Sequence, residues 1–288
     1  MTGRIPATVA KLAAAFLAAT VISALAAGAA GASGTVIYNN IPSPLPGNVP
    51  SEAFEATSTS QFGGQVELAG ASLTSTKVTI AMSSWACQSG GAEDGSCVSA
   101  AGAKFEWPVT LRVYTVGAAN AVGTQIAELT KTFKMPYRPS SSPRCKGELA
   151  GAWFRGGQCF NGRLFKIVFT LRGVTLPSRA IIAVYYNTSD YGVAPQRPKP
   201  CDSEPQGCPY DSLNVGVTEP TNFNIKNEPE PVPPFVGADP APEDAYQNSQ
   251  TGGQYCDSGL GGTGTFRLDS GVPPCWTGYQ PLFEVTTK

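Results

Sequence analysis

The 288-residue sequence carries only 14% charged residues, a formal net charge of −1 and no histidine. That charge density, with 32 glycines and 25 prolines, describes short strands joined by turns rather than charged helices. Residues 33–288 hold 18 basic and 21 acidic residues, a net of −3, which argues against nucleic acid and anionic lipid, since both select basic surfaces. The missing histidine removes Ser-His-Asp and Cys-His catalysis, histidine-ligated metals and the usual neutral-pH base.

Arg4 and Lys11 open the chain, and Leu12 to Ala30 follows without a charge. The run closes on Ala30-Gly31-Ala32, which fits a secretory signal peptide over residues 1–32, cut after Ala32. Ala24-Leu25-Ala26 and Ala27-Gly28-Ala29 are alternative cut sites. The competing reading is an uncut membrane anchor, which the Ala and Gly content makes a weak span. No cysteine follows the run, against a lipoprotein, and no twin arginine precedes it. A secreted, extracellular domain of bacterial type is therefore expected over residues 33–288. No later segment is apolar enough to cross a membrane, and Phe283 to Lys288 form no hydrophobic tail, so a soluble or non-covalently attached product is expected.

Thr35 to Tyr38 is the first strand candidate, and the prolines of Ile41-Pro42-Ser43-Pro44-Leu45-Pro46-Gly47 cannot continue it. Alternation then marks Gln65 to Ala69, Val78 to Met82, Val109 to Tyr114, Ile126 to Phe133 and Phe165 to Leu171. Ala180 to Tyr186 is a continuous apolar run, as in a strand covered on both faces. Ser212 to Val217, Gly264 to Leu268 and Leu282 to Val285 complete the set. Ala118 to Leu129 is Ala-rich, yet Gly117 and Gly123 predict a turn and strand there. The pattern gives an all-β chain: a single two-sheet antiparallel β-sandwich, jelly-roll-like, with long disulfide-pinned loops.

Residues 83–104, 136–160, 190–210 and 219–262 are long gaps, beyond the about 12–15 residues usual for structureless loops. The Pro/Gly-rich 219–262 stretch reads as a surface connection after which the last strands rejoin the sandwich. All eight cysteines follow the apolar run, an even set that reads as a disulfide framework. They fall into sequential couples, which predicts the pairs Cys87–Cys97, Cys145–Cys159, Cys201–Cys208 and Cys256–Cys275. No C-x-x-C occurs, so zinc is not indicated. No cofactor is expected, although Asp202, Asp211, Asp257 and Asp269 lie where loop oxygens could hold a structural calcium.

Trp85, Trp107, Trp153 and Trp276 compete between sugar-stacking platforms and core or disulfide packing. Trp276, Tyr279, Tyr186 and Tyr191 are the best exposed ligand-binding candidates. Carboxylate catalysis of glycoside cleavage needs two acids roughly 5–10 Å apart. The close pairs Glu52/Glu55, Glu93/Asp94, Glu228/Glu230 and Glu243/Asp244 read as solvated loop acids. Glu67, Glu106 and Glu284 lie in or beside strands and suit an active site better. Gly261-Gly262-Thr263-Gly264 is a turn, since no Lys-Ser/Thr follows. Asn187-Thr188-Ser189 is a formal glycosylation sequon.

Tyr38 to Pro50, Phe54-Glu55-Ala56, Met82 to Cys87, Pro136 to Pro139, Tyr210 to Val215 and Gly262 to Leu268 form a recognisable set. Over most of the chain beyond the leader, it resembles uncharacterised secreted bacterial proteins similar to the extracellular β-sandwich domains of the choice-of-anchor type. The resemblance implies fold and location and carries no catalytic residues. The C-terminal sorting signal that some such proteins bear is not among these residues. The expected function is a non-enzymatic extracellular binding or structural module of the cell envelope, with a polysaccharide or surface protein as partner. A surface-layer subunit is a weaker form of it. The alternative is a carboxylate-dependent extracellular hydrolase, either a glycosidase or a Glu-type acid peptidase.

Overall fold

The computed structural model describes residues 34–70, 73–74, 76–92, 94–196, 201, 207–218, 234–242, 244–249, 264–270 and 278–287. The signal-peptide region, Trp276 and the Cys256–Cys275 couple lie outside them.

The chain is all-β, with antiparallel pairing throughout the described strands. The first sheet contains β1 (Val36–Asn39), β2 (Ser51–Ala53), β4 (Thr76–Ser84), β9 (Arg163–Thr170), β11 (Leu213–Gly216) and β14 (Phe283–Thr287). Strand β4 is its spine. One edge of β4 pairs with β9 from Lys77↔Thr170 to Ser84↔Arg163. The other edge is divided: β14 takes Thr76 to Ile80 and β11 takes Met82 to Ser84. The second sheet runs β13 (Arg267–Ser270), β12 (Asp244–Gln247), β3 (Gln61–Glu67), β10 (Arg179–Tyr185), β5 (Lys104–Val116), β6 (Val122–Pro136).

Alternation decides what meets between the sheets. Val78, Ile80 and Met82 of β4 join Val109, Leu111 and Val113 of β5 and Ala180, Ile182 and Val184 of β10 in one buried cluster. Phe62, Val66, Phe169, Phe283 and Val285 belong to the same cluster. The two layers thus share a single core, as the sequence pattern predicted. The Ala118 region also follows the expectation: a 3-10 turn at Ala118–Asn120 leads into β6.

Three elements were not anticipated. Strand β2 is only three residues long, and a hairpin of β7 (Trp153–Arg155) and β8 (Gln158–Phe160) lies inside the 136–160 loop. Strand β12 lies inside the expected 219–262 connection, where Tyr246 pairs with Gly63. Elements this short carry no readable period, and their strand geometry comes from tertiary pairing.

Three predicted disulfides are present: Cys87–Cys97, Cys145–Cys159 and Cys201–Cys208. The first two loops are also tied by Arg138, a fully buried side chain. Its Nε donates to Pro139 O at 3.3 Å, its Nη1 to Ala92 O at 3.5 Å and its Nη2 to Gly151 O at 2.6 Å.

The proline-rich residues 41–50 form a strap over the outer face of the first sheet. Ile41, Leu45 and Val49 pack on Ala81, Leu164 and Leu282. Leu164 N donates to Gly47 O at 2.9 Å, Ser83 Oγ to Asn48 Oδ1 at 2.7 Å, and Val217 N to Pro50 O at 2.9 Å.

Gly63 sits where β3 meets β10. A Cβ there would lie 2.5 Å from Ile182 O and 2.9 Å from Ala183 Cβ. The neighbours are central-strand backbone and cannot yield. Gly63→Ala is expected to lower stability by about 2–3 kcal/mol, read as a lower urea midpoint at unchanged m-value.

Candidate functional site

The strap covers the Ala81, Leu164 and Leu282 part of the first sheet's outer face; the outer face of the second sheet carries the candidate ligand surface. Register places Gln61, Gly63, Gln65 and Glu67 of β3 on it, beside Arg179, Ile181, Ala183 and Tyr185 of β10. Thr110, Arg112 and Tyr114 of β5 follow, then Thr130 and Glu128 of β6.

One side of this face is closed. Ile181, Ala183 and Tyr246 are fully buried, with Phe266 packed on Tyr114 and Tyr246 at ring distances of 5.3 and 6.2 Å. The Tyr246 hydroxyl lies 2.9 Å from Gln65 Oε1 and 2.7 Å from Asn120 O. Burial, and secondarily the Asp244 carboxylate, hold that phenol well above its ordinary range. This covering explains why β10 reads as continuously apolar.

The other side is open, and a polar network lines it. Arg112 Nε donates to Glu128 Oε2 at 2.9 Å, and Nη1 donates to Gln61 Oε1 at 2.8 Å. Gln61 Nε2 donates to Tyr114 OH at 2.7 Å, and Gln125 Nε2 to Glu128 Oε2 at 3.2 Å. The guanidinium carbon lies 4.1 Å from the centre of the Tyr185 ring. The Tyr185 hydroxyl donates to Asn187 Oδ1 at 3.1 Å and accepts from Val193 N at 2.8 Å. Arg112 and Tyr185 are half-buried, whereas Glu128, Gln125 and Thr130 are exposed. Each planar group is held by another, so the face is ordered before any ligand arrives. Arg112 keeps further N–H donors and Glu128 further lone pairs for a ligand.

No protein-family model matches the chain, and neither a curated protein nor a solved structure is found to match it.

Of the aromatic candidates, Tyr191 is half-buried in the loop beside Tyr185, where its N donates to Thr188 Oγ1 at 3.2 Å. Tyr186 and Tyr279 are not exposed as expected; they belong to the core at 1% and 2% exposure. Tyr186 stacks on Phe54 at 4.1 Å and donates to Leu213 O, while Tyr279 stacks on Phe62 at 5.8 Å. Parity is the reason for Tyr186: it directly follows outward-facing Tyr185. Trp153 is core, and Trp107 stacks on Tyr210 at 3.6 Å with its Nε1 on Asn187 O at 2.9 Å. Trp85 is half-buried. The sequon is closed in the fold, since Thr188 is buried and Asn187 is engaged with Tyr185.

The strand-borne acids are not brought together. Glu67 and Glu106 stand exposed at opposite ends of the outer face of the second sheet, Glu106 3.5 Å from Lys134. Glu284 belongs to the first sheet. The acid that the sequence hid is Glu52, expected as a solvated loop carboxylate. It sits on β2 opposite Val215, turned into the core and fully buried. Thr57 Oγ1 donates to its Oε1 at 2.9 Å, while its Oε2 has no partner. Burial, with an added push from Asp269, raises its pKa to about 8 against two weaker threonine hydrogen bonds.

Asp269 itself is 1% exposed. It receives Gln247 Nε2, and the Tyr279 hydroxyl at 3.4 Å. Asp211 receives Ser189 N at 2.6 Å and the Ser189 hydroxyl. These donors satisfy anions and do not prepare a cation site. Among the described residues no group of three His, Cys, Asp or Glu side chains could hold a metal. Asp202 and Asp257 lie outside the described residues.

Proposed function

We propose that this protein is a non-enzymatic, secreted binding module of the bacterial cell surface, akin to the choice-of-anchor type. Its ligand is a polyhydroxylated polymer, a polysaccharide of the cell envelope, held on the open part of the second sheet's outer face. The observation that carries this reading is the Gln61–Arg112–Glu128 network beside Tyr185. Paired donors and acceptors of opposite charge, fixed next to an aromatic ring, suit neutral hydroxyl groups better than an ion. Three disulfides indicate an oxidising compartment, in keeping with export. No helix among the described residues is long and apolar enough to cross a membrane.

The carboxylate-hydrolase reading rests on one observation, the electrostatic coupling of Glu52 and Asp269. Both acids are closed from solvent, so a polymer has no route to them in this state.

The test is a glycan array of the domain with and without EDTA, followed by calorimetry on the strongest hit. Arg112→Ala is expected to weaken binding by about tenfold to a hundredfold, with an unchanged circular dichroism spectrum and a melting temperature lowered by only a few degrees. Undiminished binding by that variant, or hydrolysis of the polymer, overturns the reading.

A further inference from the structure

Strand β12 has two faces with different duties. Tyr246 points outward, onto Gln65 and Asn120 O. Its neighbour Gln247 points inward and donates to Asp269 of β13. Asn248, next in line, accepts from Ser60 N at 3.0 Å and Gln61 N at 2.8 Å. That contact fixes the backbone of Gln61, whose side chain receives Arg112. The β12–β13 pair is therefore tied inward through Gln247 and Asp269 and, at its Asn248 end, to the backbone of Gln61.

Glu52 of β2 and Asp269 of β13 are both buried, 0% and 1% exposed, and Asp269 is near enough for its charge to act on Glu52. The groups acting on Glu52 are the hydroxyls of Thr57 and Thr59, on its own turn, and the Asp269 carboxylate from β13. Tyr186, at the end of β10, feels Glu52 and Asp211 in turn. Tyr279 closes the cluster through Asp269 and Gln247. No cation is among the groups acting on Glu52; Arg267 of β13 donates to Thr265 O and Ser249 O, and the second Glu52 oxygen is buried without a partner. A carboxyl can remain there neutral; a carboxylate faces a second acid in a dry core.

We infer that the proton on Glu52 is a latch: while it is held, the β12–β13 hairpin stays docked, and when it is lost at alkaline pH the hairpin is released. The consequence for ligand rests on the binding-face reading above, whereas release of the hairpin does not. Burial raises the Glu52 pKa to about 8, which puts the transition just above neutrality.

Hydrogen exchange followed by mass spectrometry tests the latch on the protein without ligand. After correction for intrinsic rates, protection of the Ala245, Tyr246 and Gln247 amides should fall about tenfold between about pH 7 and pH 9. Strands β4 and β9 should keep theirs. Glu52→Gln, a neutral isostere, should erase the fall. Thr57→Val removes a hydrogen bond that favours the charged form and should move the fall to higher pH. It serves as well if the Gln variant fails to fold. Protection independent of pH, or an undiminished fall in Glu52→Gln, overturns the inference. Saccharide affinity across the same range is a separate arm. Hairpin release without a change in affinity would count against the ligand face and leave the latch standing.

Discussion

Arg138→Ala is expected to cost about 3–5 kcal/mol of folding stability. The buried guanidinium donates to three backbone carbonyls, those of Pro139, Ala92 and Gly151. Burial draws its pKa down to about 10, which leaves it charged at neutral pH. One recipient, Ala92 O, lies inside the loop closed by Cys87–Cys97, and another, Gly151 O, inside the loop closed by Cys145–Cys159. Truncation loses these bonds and opens a cavity the size of a long side chain. Arg138→Met separates the two effects: it keeps most of the volume, so its remaining cost reports the abandoned carbonyls. Because Arg138 and the bridges constrain the same loops, reducing the disulfides and removing Arg138 should not be additive. Urea denaturation of wild type and both variants, oxidised and reduced, measures all these terms. A loss below about 1 kcal/mol for the alanine variant would mean that the bridges alone order these loops.

How much of this was legible depended on whether a residue's partner was near in sequence. Strands β4, β5 and β9 were readable because their apolar residues alternate in the sequence, as Val78/Ile80/Met82, Val109/Leu111/Val113 and Phe165/Ile167/Phe169. The three described disulfides were readable because each closes a short loop, with separations of 10, 14 and 7 residues. By contrast, β2 and β12 owe their existence to Val215 and Gly63, residues far away in the chain. The same distance hid the site. Arg112, Gln61 and Glu128 alternate with core residues and so look like any solvated strand face; only the register of β3, β10, β5 and β6 makes them neighbours. Tyr186 and Tyr279 were misplaced for a related reason. An aromatic beside polar residues looks exposed, and a stacking partner such as Phe54 or Phe62 cannot be foreseen from local sequence. Glu52 was the hardest to read, since Ser51-Glu52-Ala53 has no feature that distinguishes an interior acid from a solvated one.

Glu52 also sets an unusual expectation for stability against pH. Its pKa is raised from 4.5 to about 8 in the folded protein, so the native state binds this proton more tightly than the unfolded chain does. Linkage then fixes the sign: the contribution is complete below the unfolded value and is lost progressively as pH rises towards and through the folded one. Asp239, raised to about 6 chiefly by burial, acts in the same direction over the lower part of that window. The protein should therefore be more stable at about pH 5 than at about pH 8, by a few kcal/mol, the reverse of a domain whose buried acids are salt-bridged. Release of the β12–β13 hairpin limits the loss, because local opening relieves Glu52 before the whole sandwich unfolds. Glu52→Gln should be near wild type at the acid end, more stable than wild type at the alkaline end, and flat between, apart from the smaller Asp239 slope. Thermal denaturation of both proteins from about pH 5 to pH 9 measures this, and a wild-type melting temperature that rises over that range would show that Glu52 is ionised in the folded state.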